Sequence, residues 1–201
     1  VGYGAAGALD LTLSFWIKST KTGVFCVNVD YPDGARNYLV DVTISSTNTW
    51  EYKTVAIDGD TGGSAIVSDN TEGYEVKFIM AMGGTGDAGT AETWATEGST
   101  NRSTANQVNL LDNTDNNVLI TGVQLEVGAA ATDFEHREYG GELLRCLRYY
   151  WRHTLGVSDN VCQGHVQSTT LARCIHNFPV EMRSDPTLEV SGVADFTIHH
   201  D

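Results

Sequence analysis

The sequence predicts an all-β sandwich followed by a short helix and a small second β element. Three observations predict it. Six stretches before residue 130 carry strand-like apolar patterns bounded by polar turns. The 201 residues include 21 glycines but only 3 prolines, which suits many tight turns between short strands. Only one stretch, 142–151, has a helical period, so the strand–helix alternation of an α/β fold is missing.

The first strand is the clearest. Leu9, Leu11, Leu13, Phe15 and Ile17 alternate with polar residues and fall on one face. In 23–29 the β-propensity is high but the period is blurred, and Tyr31-Pro32-Asp33-Gly34 reads as a turn. A third strand runs over 38–44. In 50–57 Trp50, Tyr52 and Thr54 share one face and Val55 and Ile57 the other, which predicts a strand covered on both sides or one with an aromatic surface. Tyr74, Val76, Phe78, Met80 and Met82 align in the fifth strand. Residues 83–117 form a long, mostly polar connection, of a length that is uncommon unless it has a role or local structure. Val118, Ile120, Val123, Leu125 and Val127 read as a buried strand whose phase slips at Gly122, as at a bulge.

Beyond Gly128 the character changes. Leu143, Leu147 and Tyr150 take one face of a helix over 142–151, with Arg145, Arg148 and Arg152 toward the other. Further strands are expected near 161–167, 171–178 and 188–198. The organisation expected is therefore a sandwich over 1–135, a helical linker over 136–156 and a C-terminal β element over 157–201.

Charge narrows the partners. The formal net charge is -14, and residues 1–136 hold 18 acidic side chains against 6 basic ones. So acidic a body argues against nucleic acid and anionic membrane. Nor does any apolar run approach the roughly 20 residues of a membrane span. The four cysteines, at 26, 146, 162 and 174, show no CxxC pair. Cys26 and Cys146 lie among apolar residues and are expected as buried free thiols. The chain starts abruptly at a strand-edge sequence without Met, as a piece of something longer would.

Several segments together carry a resemblance. Leu13-Ser14-Phe15-Trp16-Ile17-Lys18 followed by Gly23, then Trp50-Glu51-Tyr52-Lys53-Thr54-Val55, and above all Thr121-Gly122-Val123-Gln124-Leu125-Glu126-Val127-Gly128 with Phe134-Glu135-His136-Arg137 and Cys146, Arg148, Tyr149 and Tyr150 stand in order along the chain. This pattern resembles the carbohydrate-binding-module-like jelly-roll domain of phage tail fibres and other virion appendages. Leu147 and Glu181 depart from it, where relatives carry glutamine and proline. The resemblance implies a jelly-roll sandwich, a location in a virion tail fibre or appendage, and a structural or adhesive role. It also implies a homo-oligomer, typically a trimer, contacting other virion proteins and host-surface glycan, without membrane insertion.

Residue chemistry suggests where such roles would sit. Aromatic platforms flanked by hydrogen-bonding side chains bind glycans, and the candidates are Trp94, Tyr31, Arg36, Trp50 and Tyr52. Trp94, in the long polar loop, is the best exposed of them, whereas Trp16, Trp50 and Tyr38 are expected to pack the sandwich. The candidates for an oligomer interface are Arg145, Arg148, Tyr149, Tyr150, Trp151 and Phe178, aromatics and arginines of the kind that anchor interfaces. Phe134 is expected to plug the core. Asp58 and Asp60, and likewise Asp112 and Asp115 among asparagines, form oxygen-rich loops. These would suit calcium as a cofactor but read equally as Asx turns, and neither has an EF-hand spacing. No catalytic residue is expected. A glycan hydrolase would need two facing carboxylates, and the scattered charges predict solvated faces instead.

Overall fold

Seven strands build residues 1–135: β1 (Leu11–Ser19), β2 (Gly23–Tyr31), β3 (Arg36–Ile44), β4 (Glu51–Ile57), β5 (Glu75–Phe78), β6 (Trp94–Thr96) and β7 (Val118–Val127). The computed structural model describes residues 1–69, 71–152, 162–168, 171–175 and 177–187. The chain divides into two compact units, Val1–Glu135 and His136–Asp201.

The first unit is all-β and sandwich-like. One antiparallel sheet has the order β4-β1-β7, the other β5-β2-β3-β6. Their inner faces share one core. The alternating residues Leu11, Leu13, Phe15 and Ile17 of β1 meet Phe25, Val27, Val29 and Tyr31 of β2 and Tyr38, Val40, Val42 and Ile44 of β3. Phe15 and Phe78 pack edge to face across the gap, with ring centroids 5.0 Å apart. Leu9, at the head of the β1 pattern, lies outside the strand and is exposed.

The blurred period of β2 has a physical cause: both of its faces are buried. Its outward residues Cys26, Asn28 and Asp30, with Asn37 and Leu39 of β3, are nearly inaccessible. The cover is the long connection after β5. Asn28 Nδ2 donates to the Arg102 carbonyl (3.2 Å), Asn37 Nδ2 to the Asn101 carbonyl (2.6 Å) and Thr104 Oγ1 to Asp41 (2.6 Å). The connection is a polar layer bonded to a polar sheet face, which explains how so long a segment lies on the sheet without apolar periodicity.

In β7 the phase slip is a bulge. Ser14 pairs with Gln124 but Trp16 with Thr121, so β7 carries one extra residue there, and Gly122 supplies the left-handed φ of 58°. Ile120 lies opposite Ile17 and Leu125 opposite Leu13, so the bulge keeps Val118, Ile120, Leu125 and Val127 in phase with the core face. Only Val118 and Ile120 pack on the core. Val123, Leu125 and Val127, expected to be buried, are exposed on this edge strand. The expected Tyr31–Gly34 turn is a single 3-10 turn over Pro32–Gly34. The left-handed residue is Ala35, and Gly34 is small because the Tyr31 ring lies against it.

The second unit holds α1 (Tyr139–Leu147) and the hairpin β8 (Gln163–Ser168) with β9 (Leu171–Ile175). The helix starts three residues before the expected Glu142 and ends at Leu147, so Tyr149, Tyr150 and Trp151 follow it rather than belong to it. Glu142 in its first turn and Arg145 in its last suit the helix dipole. Cys26 is a buried free thiol as expected, but Cys146 is exposed, and Cys162 is disulfide-bonded. The strand expected over 188–198 lies outside the described residues. Among the described residues, no helix is long and apolar enough to cross a membrane.

Candidate functional site

The glycan candidates separate into a closed cluster and an open face. Tyr31, Arg36 and Trp94 belong to the closed one. The side chain of Tyr31 is fully buried, its hydroxyl donating to Asp60 Oδ2 at 2.6 Å with the Gly62 carbonyl close beside it. Arg36 grips the same carboxylate with Nε at 2.7 Å and Nη2 at 3.0 Å. The Trp94 indole N–H donates to the Asp58 carbonyl at 2.6 Å, and its ring packs against Tyr3, Tyr31 and Tyr38 at centroid distances of 5.2–5.4 Å.

The electrostatics fit a structural lock. Burial, reinforced by the Asp60 carboxylate, pushes the Tyr31 phenol up to about 12, so it remains a donor. Burial alone would raise Asp60, yet the bonds from Arg36, Tyr31 and Gly62 hold it below the usual carboxylate range. Trp94 is therefore not the exposed platform that its polar surroundings suggested. It turns inward from short strand β6 because the aromatic end of the core offers its ring contacts and its N–H an acceptor.

Calcium fares no better at the expected loops. Asp60 has Arg36 as counter-ion, and Asp112 has Lys21. Among the described residues no three His, Cys, Asp or Glu side chains converge as a metal site. Asp115 sits in a turn whose backbone N–H bonds the Asn113 side chain (3.0 Å), the Asx geometry weighed against calcium.

The open face is the outer side of the first sheet. Trp16, out of phase with the core residues of β1, projects there beside Tyr52 of β4, with ring centroids 5.3 Å apart. They are 44% and 45% exposed, and Trp50, just before β4, is as open. The register places Leu119 opposite Lys18 and Thr121 opposite Trp16, extending the same face across β7. Trp50 was expected to pack the sandwich and does not, and Trp16 was expected in the core. The signal against that was its own strand: if Leu13, Phe15 and Ile17 point inward, Trp16 points out.

Segment 128–135 closes the other half of this face. Thr12 Oγ1 donates to the Gly128 carbonyl (2.7 Å), Thr132 donates through both its N–H and its hydroxyl to Glu126, and Gln124 Oε1 accepts from Glu135 N–H (2.7 Å). Phe134 ends the cover. It does not plug the core but lies on the outer side, where its ring and that of Trp16 flank Gly122. The resulting floor is Trp16, Tyr52 and Trp50, walled by Phe134 and edged by Lys18 and Thr54.

In the second unit the interface candidates assemble partly among themselves. Trp151 packs edge to face on Phe178 (5.8 Å), Arg183 lies over the Tyr149 ring (5.7 Å), and Arg183 N–H bonds the Arg148 carbonyl (3.0 Å). Arg145, Tyr149 and Tyr150 are exposed, and no residue of α1 is buried.

No protein-family model, curated protein or solved structure matches this chain.

Proposed function

We propose that residues 1–135 form a non-catalytic attachment module, a jelly-roll sandwich of the kind carried by phage tail fibres and other virion appendages, that binds host-surface glycan through its outer aromatic face. One observation carries this reading: Trp16, Trp50 and Tyr52 are large rings left open on a face whose other half is closed by its own covering segment. Contiguous exposed apolar surface marks interaction sites, and flat rings stack on the C–H faces of sugars while neighbouring hydroxyls and amides take their OH groups. Thr54 and Thr121 stand beside the rings for that purpose.

The test is binding of the wild type, Trp16→Ala and Tyr52→Ala to a broad array of immobilised glycans, followed by calorimetry on the best hits. Each substitution is expected to weaken binding at least about tenfold, or 1.4 kcal/mol, without lowering the melting temperature. Binding that survives both substitutions sinks the assignment.

A second reading concerns assembly. The open residues Leu143, Leu144, Tyr149 and Tyr150 favour contacts between copies of the chain through residues 136–201. Light scattering should give an oligomer, a trimer by the fibre resemblance, for residues 1–201 and a monomer for 1–135. Equal masses per chain for the two would refute assembly through this unit.

A further inference from the structure

A cleft of about 580 Å³ runs along the flank of the first unit, between β3 and β4. Its walls are Val40–Thr43 and Ser45 from one sheet and Lys53–Ala56 from the other, and it ends at Tyr38, Asp58 and Glu92. Topology explains why it is open. β4 is the end strand of its sheet, and β6 pairs with β3 only over Arg36–Tyr38, so both facing strand edges keep unpaired backbone groups. Its volume lies in the range of small-ligand sites.

The cleft adjoins the aromatic face. Thr54 belongs to both: it is two residues from Tyr52 on the outer side of β4 and lines the cleft. At about 3.3 Å per residue, Tyr52 to Asp58 spans roughly 20 Å. A ligand stacked on Trp16 and Tyr52 that continues along β4 therefore runs directly into the cleft. There it meets a mixed lining: Val40, Val42, Val55 and Ala56 are apolar, while Thr43, Ser45 and Thr54, the open backbone edges, and the carboxylates of Asp41, Asp58 and Glu92 offer hydrogen-bonding groups. Glu92 is held in place by strained backbone, with φ at 57° and its N–H bonded to the Leu39 carbonyl (2.7 Å).

We infer that the cleft is a second subsite for the same ligand, and that this ligand is an extended, electrically neutral oligosaccharide. The inference rests on the glycan reading above and adds length and charge to it. Among the described residues the cleft has one cation, Lys53, which is paired with Glu51 at 2.7 Å. The carboxylates accept hydrogen bonds from sugar hydroxyls and repel sugars that carry their own carboxylates or sulfates.

The experiment is calorimetry with neutral cello-, malto- and β-galacto-oligosaccharide ladders of two to six units and with an oligogalacturonate ladder. Wild type, Tyr52→Ala and Ala56→Trp, which fills the cleft from an exposed strand position, are compared after their melting temperatures are shown to agree. Expected is a tenfold or larger gain from disaccharide to pentasaccharide on one neutral ladder, with the acidic ladder weaker throughout. Ala56→Trp should lose that gain and keep disaccharide binding, while Tyr52→Ala should lose both. Affinity independent of length, a gain that survives Ala56→Trp, or equal binding of oligogalacturonate overturns the inference and leaves the platform reading standing if Tyr52→Ala still abolishes binding. Absence of binding on every ladder, together with a blank array, overturns both.

Discussion

Replacing Asp60 by alanine tests whether Tyr31 and Arg36 serve the fold. The Asp60 carboxylate accepts from Tyr31 Oη (2.6 Å), Arg36 Nε (2.7 Å), Arg36 Nη2 (3.0 Å) and Gly62 N–H (3.0 Å). Its side chain is 5% exposed and that of Arg36 is 20%. Removing one partner of a buried pair costs about 3–5 kcal/mol. Water reaching the partly open guanidinium recovers some of this, so Asp60→Ala should cost about 2–4 kcal/mol. Urea unfolding of residues 1–135, followed by tryptophan fluorescence, should show the midpoint falling at unchanged slope. The double variant Arg36→Met, Asp60→Leu should recover much of the loss, because it removes the stranded charge. The sign with pH also follows. Asp60 is held below its ordinary range, so its contribution is present above about pH 4 and lost as pH falls through the folded value. The wild type should therefore lose more stability than Asp60→Asn on acidification through that window. A cost below about 1 kcal/mol for Asp60→Ala would refute the lock and return Tyr31 and Arg36 to the pool of ligand contacts.

Two further substitutions probe the layers over each sheet. A Cβ at Gly89 would come within 2.1 Å of Leu39 Cδ1 and 2.9 Å of the Ser103 carbonyl. Gly89→Ala should therefore destabilise by about 1–3 kcal/mol in urea, and no loss would mean that the 83–117 segment is not a packed cover. At the bulge, Gly122→Ala finds ordinary contact distances to Trp16 and Phe134 but must adopt φ near 58°. Its cost should be about 1–2 kcal/mol from backbone strain alone, and a stabilised variant would refute the left-handed bulge.

Read alone, the sequence determined what depends on neighbours along the chain. The period-two run of Leu11–Ile17 placed its strand and inner face, and that of 50–57 placed its strand, because a pleated strand sends successive side chains to opposite sides. The slip at Gly122 announced its bulge for the same reason. Tertiary structure decided what depends on the partner across space. Trp94 reads as a loop aromatic until Tyr3, Tyr31 and Tyr38 turn out to surround it, and no local pattern encodes that meeting. The 83–117 segment reads as plain polar loop because its partners, Asn28, Asn37 and Asp41, are themselves polar, and hydrogen bonding leaves no apolar period to detect. Trp16 was expected inside the sandwich and Tyr52 was left between a covered and an open face, since alternation assigns a side chain to a face but only the rest of the fold determines what covers that face.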